Sequence, residues 1–327
     1  MPKSTVKASE IADSAAALPG EDPQERSARI RALAVAQRLA LAARLHRENE
    51  FELAEKLDKC GLPASITCTN CGDPHSVETR CKRRWCPTCA RKISFERVQK
   101  YEKRLCGMTW PLWCTFTCRN SDDAEVIDVL KAGWKQFRRR KIFKAYTKGG
   151  LWALEVTEKG KGWHPHLHAF LDCEWLSAHT PPPHPLDPPA IVREKMSYAK
   201  AELDEEWGSC VGQEWASTFV ARKKADSAVR ELLKYAVKGS DLLETTLPVG
   251  DLIRMIDAGR TISTFGTVRK SQAPAEDEDD KPKLACTTCG TEGEWLPTEV
   301  LSRYGRISPP TMIHFGHADN DSRNPFD

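Results

Sequence analysis

The spacing of apolar and polar positions divides the chain into helical and extended stretches. From about residue 24 to 57 apolar residues recur at helical spacing, with Ile30, Leu33, Ala34, Leu39, Leu41 and Leu45 on one stripe. Residues 93–105 repeat that pattern as a short amphipathic helix, and 111–118 read as a buried strand. Ser121 or Asp122 caps a further helix, acidic at its start (Asp122, Asp123, Glu125) and basic at its end. Residues 151–157 predict another strand, and the 158–162 turn sends it back antiparallel through 163–171. Past a proline-dense loop at 178–189, helices are expected at 190–207 and 228–238, with strands at 215–221 and 260–269. In the first of these helices Met196, Leu203 and Trp207 are the expected core contacts.

Within the 163–171 strand, His164, His166 and His168 alternate with Pro165 and Leu167, so all three imidazoles share one face. The chain has nine histidines in 327 residues. Three within five positions therefore mark a metal site rather than chance, since neutral imidazoles at strand pitch form half of a coordination shell. Hairpin counting brings Glu155 close to His164 and His166 as the nearest carboxylate, and the turn register decides whether it faces them. His179 and His184, in the proline-rich loop, read as solvent histidines.

Thirteen cysteines, an odd count, fit thiolate metal sites in a reducing compartment better than disulfides. Cys68, Cys71, Cys86 and Cys89 form two Cys-x-x-Cys knuckles, expected to complete one structural Zn2+ site. Cys81 and His75 are alternative donors. A third knuckle, Cys286 and Cys289, has His314 and His317 as candidate partners, with a two-ligand half-site as the alternative.

The net charge of +3 does not announce a nucleic-acid binder, but basic residues cluster locally. Arg83 and Arg84 beside the second knuckle, and Arg138, Arg139 and Arg140 at a helix end, are expected to meet DNA backbone. The helix dipole alone accounts for part of the second cluster. No apolar run approaches a bilayer span and the start has no signal-peptide core, so a cytoplasmic, non-membrane protein is expected. On the 228–238 helix, Glu231, Tyr235 and Lys238 fall at i, i+4 and i+7 on one face, opposite Val229, Leu232, Leu233 and Ala236. Alone, that stripe reads as a solvated surface; beside a metal site it becomes a base, a nucleophile and a phosphate clamp.

Three blocks in this order resemble the plasmid rolling-circle replication initiators of the HUH endonuclease superfamily. They are Thr115-Phe116-Thr117, the run from Gly162 to His168, and the run from Glu231 to Lys238. The Cys-rich region, the block near residue 260 and the late knuckle add to the likeness. The resemblance implies an α+β fold, with a central five-stranded antiparallel sheet of RNA-recognition-motif type flanked by helices. It also implies an N-terminal Cys-rich zinc module. It further implies Mg2+ or Mn2+ at His166 and His168, with His164 or Glu155 as third ligand. Tyr235 would be the nucleophile. Glu231, standing where some relatives carry a second tyrosine, would activate water for the terminating cleavage, and Lys238 would offset phosphate charge. Lys234 joins the expected DNA contacts.

The partners implied are origin DNA, single-stranded or extruded as a hairpin, and a host helicase and polymerase. The organisation expected is a disordered lead-in (1–25), a helical segment (26–57), the zinc module (60–105), the endonuclease domain (106–270), an acidic linker (271–284) and a tail with one knuckle (285–327). An HUH-type transposase is the alternative within the class, and a non-catalytic zinc-dependent DNA-binding regulator the alternative outside it.

Overall fold

The structure, a computed structural model, describes residues 21–105, 107–214, 216–221, 225–232, 239–270, 285–291, 295–302 and 305–307. Its contacts divide the chain into two units, Met1–Asp58 with Lys82–Pro274, and Lys59–Cys81 with Ala275–Asp327. This departs from the expected linear succession of modules, because an early segment and the tail share one unit.

The first unit opens with helix α1 (Pro23–Arg47), started by a reciprocal cap between Asp22 and Glu25. The single helix expected to residue 57 breaks at Asn49, whose φ of 62° is left-handed. Helix α2 (Phe51–Asp58) then resumes. In the second unit, β1 (Pro63–Cys68) and β2 (Pro74–Glu78) form an antiparallel hairpin that the sequence pattern did not signal.

Back in the first unit come α3 (Pro87–Leu105), β3 (Pro111–Thr117), α4 (Val126–Phe137) and α5 (Lys141–Tyr146). The last two replace the one helix expected after residue 122. Next are β4 (Thr147–Glu158), β5 (Trp163–Cys173), α6 (Pro189–Val211) and β6 (Ser217–Ala221). Helices α7 (Ala225–Leu232), α8 (Gly239–Glu244) and α9 (Val249–Asp257) lead to β7 (Ile262–Phe265) and α10 (Gly266–Lys270). Strands β8 (Trp295–Ser302) and β9 (Gly305–Ile307) belong to the second unit.

The fold is α+β. Its centre is a five-stranded antiparallel sheet, β6-β3-β5-β4-β7, with the histidine strand β5 in the middle. Helices α4, α5 and α6 cover one face, where Phe116, Trp134, Phe137 and Trp207 pack ring against ring. Of the predicted α6 contacts, Leu203 and Trp207 are buried, while Met196 is exposed. On the other face Trp113, Leu151, Ala153 and Phe170 pack with Leu105 of α3 and with Ala228, Val229 and Leu232 of α7. The second unit holds a four-stranded sheet, β2-β1-β8-β9. No helix among the described residues is long and apolar enough to cross a membrane.

Candidate functional site

The hairpin register decides what shares a face with the histidines. Glu158 pairs with Trp163, leaving a four-residue loop in which Gly160 and Gly162 take φ of 78° and 86°. Glu155 then lies directly opposite His166 and Thr157 opposite His164, so both stand on the histidine face. On the other side of β5, Thr115 is opposite His168 and Thr117 opposite His166. Gly162 is also pressed against strand entry, since a Cβ there would come within 2.8 Å of the Ser121 backbone. Ser121 and Trp163 exchange backbone hydrogen bonds of 3.1 and 2.7 Å at that point.

His168 is held on both sides. Its Nε2 lies 2.9 Å from Glu155 Oε2 and its Nδ1 lies 3.0 Å from Thr115 Oγ1. The Thr115 hydroxyl accepts from the Trp113 indole N–H at 3.1 Å, which frees its own hydrogen for His168 Nδ1. That arrangement favours the Nε2–H tautomer, donating to Glu155. The His166 ring stacks parallel to His168 with centroids 5.8 Å apart, and lies 4.2 Å from His164. Burial, then the neighbouring imidazoles His164 and His168, push the His166 pKa down to about 4. Burial and then Lys159 lower His164 as well. His166 is therefore neutral at pH 7, with a lone pair available. Its Nδ1 is buried without a hydrogen-bond partner, the condition of a group built to meet something else.

The donor atoms of this face do not converge as tightly as a preformed ligand cluster. Among the described residues, the groups whose ligand atoms all lie within 4.8 Å of one another contain sulfur, and the histidine face is not one of them. The orphaned His166 nitrogen fits a divalent ion, whereas His168 serves first as the partner of Glu155.

Helix α7 lies across the same sheet face, since its Val229 and Leu232 share one buried cluster with Phe170. Phe170 stands two residues along β5 from His168 and so points the same way. Glu231, on the exposed side of α7, belongs to this helix. Tyr235, Lys238 and Lys234 lie outside the described residues.

Several of the expected DNA contacts also have partners within the fold. Arg138 lies over the rings of Phe265 at 5.3 Å and Trp134 at 5.9 Å, and burial lowers its pKa. Arg140 bonds Ser209 at 2.8 Å and pairs with Glu206 at 3.5 Å. Both belong to the helix layer on the sheet face away from the histidines; Arg139 alone of the three is exposed. Arg83 pairs with Asp257 at 3.5 Å. Arg84 is buried, donates to Thr261 Oγ1 at 2.5 Å, and burial brings its pKa down to about 9.

Pattern reading missed the polar end of the histidine face. There a cleft of about 560 Å³ is lined by Thr117, Cys118, Arg119, Asn120, Lys161, His164 and Ser217. Strand parity on β3 and β6 was the signal available for it.

The cysteine expectation is corrected. Cys68 and Cys71 gather with Cys286 and Cys289, not with Cys86 and Cys89, which begin α3 in the other unit. The reason is that β1 pairs with β8, with Cys68 opposite Trp295, which draws the late knuckle beside the early one. Sulfurs of Cys68 and Cys289 are 3.8 Å apart, and those of Cys71 and Cys286 are 3.6 Å apart. His75 Nε2 stands at the edge, 3.3 Å from Cys286 Sγ. His314 and His317 lie outside the described residues. Hydrogen bonds with Thr291, then Asn70, hold Cys289 down at about 5. Four crowded sulfurs of this kind suit a thiophilic cation such as Zn2+.

No family model, curated protein or solved structure matches the chain significantly.

Proposed function

We propose that the central sheet carries a DNA strand-nicking and joining site of the rolling-circle initiator kind, which starts plasmid replication at its origin. One observation supports this reading above the others. His164, His166, His168 and Glu155 occupy one sheet face, and the helix bearing Glu231 packs across that face.

In this reading His166 and His168, with His164 or Glu155, would hold Mg2+ or Mn2+. Such an ion supplies Lewis-acid polarisation of the scissile phosphate when bound. To ligate the ion, His168 would take the Nδ1–H tautomer, donating to Thr115 Oγ1 and turning its Nε2 lone pair from Glu155 to the metal. Arg119 and Lys161 neutralise backbone charge at the polar end of the face. The Tyr235 hydroxyl gives up its proton to solvent as its oxygen attacks phosphorus. The bond from its oxygen to phosphorus forms while the bond from phosphorus to the 3′ oxygen breaks. The 3′ oxygen takes a proton and becomes the primer hydroxyl, and the 5′ end stays on the tyrosine. Lys238 offsets the charge gathered on the phosphate. Glu231 later removes a proton from the water that releases the strand. A host helicase and polymerase would use the freed end. The four sulfurs of the second unit would hold Zn2+ as a structural ion, countable by metal analysis of the purified chain.

Incubation with single-stranded origin DNA and Mn2+ tests the reading. A covalent adduct is expected from the native chain, and none from Tyr235→Phe with DNA binding retained. Glu231→Ala keeps the first nick and impairs release. A native chain that binds DNA without ever forming the adduct is instead a non-catalytic zinc-dependent regulator.

A further inference from the structure

The polar end of the histidine face carries one apolar side chain. Phe219 on β6 pairs with Thr115, which in turn pairs with His168, so all three stand in one row on one face. Phe219 is 57% exposed, whereas its neighbour Thr218, on the opposite face, is 4% exposed. Among the described strands of this sheet it is the only large apolar residue left open to water. Strand spacing of about 4.8 Å places it two strands, about 10 Å, from the histidine strand.

The surroundings of the ring select its occupant. Ser217, two residues along β6 on the same face, and Thr117 bond hydroxyl to hydroxyl at 3.1 Å. Both line the cleft that reaches His164, and Ser217 brings its edge within two residues of Phe219 along β6. Two cations, Arg119 and Lys161, also line it, and no carboxylate does. An open aromatic ring beside a cationic, hydroxyl-lined cleft offers a π-face for a base and charge for the phosphate that follows. A purely apolar partner would leave the cations and hydroxyls unused. A helical or double-stranded ligand has its base faces already stacked.

We infer that Phe219 is a stacking platform for one unpaired base of the DNA strand, holding the adjacent backbone in the cleft that leads to the histidines. This rests on the nicking reading above. It makes Phe219 a binding residue that positions the strand and takes no part in proton transfer or bond breaking.

The test uses the full chain in EDTA, so that binding is read without cleavage, and a short fluorescein-labelled oligothymidylate as probe. Phe219→Ala should weaken binding about tenfold or more, with an unchanged thermal melt and an unchanged salt slope. Phe219→Trp should restore the affinity, and its indole emission should be quenched by the probe. A scan of single abasic positions in the probe should find one whose loss weakens the native chain and leaves Phe219→Ala unaffected. Equal affinity of the native chain and Phe219→Ala overturns the platform, even where the covalent adduct with Mn2+ upholds the nicking reading. A native chain that neither binds the oligonucleotide nor forms the adduct overturns both.

Discussion

The two faces of the five-stranded sheet are made by the same strands, yet they are covered differently. On one, Phe116, Leu154, Val156 and Leu167 are sealed under α4, α5 and α6. On the other, the apolar cover of α3 and α7 begins at Trp113, Leu151 and Phe170 and stops short of the histidines. Strand β5 shows the division residue by residue. Trp163, Pro165, Leu167, Ala169 and Leu171 are all buried on the sealed face. On the half-covered face His164, His166 and His168 are only partly buried, and Phe170 is fully so. The lesson is that one face holds the sheet together so that part of the other can be spent on polar chemistry.

Substitutions on each face test that contrast. Phe116→Ala, in the ring cluster of the sealed face, should cost about 3–5 kcal/mol in denaturant unfolding. A cost under about 1 kcal/mol would mean the sealed face does not carry the sheet. Gly162→Ala should cost about 1–2 kcal/mol for its left-handed backbone, and more for the contact with Ser121. A lowered melting temperature reads that out, and an unchanged melt would separate the hairpin from the stability of the sheet. Glu155→Gln reverses the balance: stability should fall by only about 1 kcal/mol for the altered hydrogen bond to His168, while adduct formation with Mn2+ slows about 10–100-fold. Equal loss of folding and activity would make Glu155 a packing residue. The smallest change in stability is expected for Lys161→Ala, within about 0.5 kcal/mol, with a shallower salt dependence of DNA binding.

The strands of the central sheet were legible because each keeps a period of two or an unbroken apolar run between turn residues. The histidine face was legible for the same reason, and the glycine-bearing turn made Glu155 a candidate. Its register needed the structure, because a shift of one residue would have turned the carboxylate to the sealed face. The sulfur cluster was misread because neighbouring knuckles look like partners in sequence. What pairs Cys68 with Cys289 is the β1–β8 ladder, and no local pattern encodes a ladder between distant segments. The partners of Arg138 and Arg140 were not legible either, because a cationic run says nothing about whether rings and carboxylates lie beneath it.

That ladder also sets a clock. Cys71 and Cys286 are 215 positions apart, and a ribosome adding about 5–20 residues per second needs roughly ten to forty seconds to travel between them. Through that interval the nascent chain presents two thiols without their companions and a β1 edge with no neighbour on its far side. Translation that stops early would strand the protein in that state, with the histidine strand already made and the second unit unable to close.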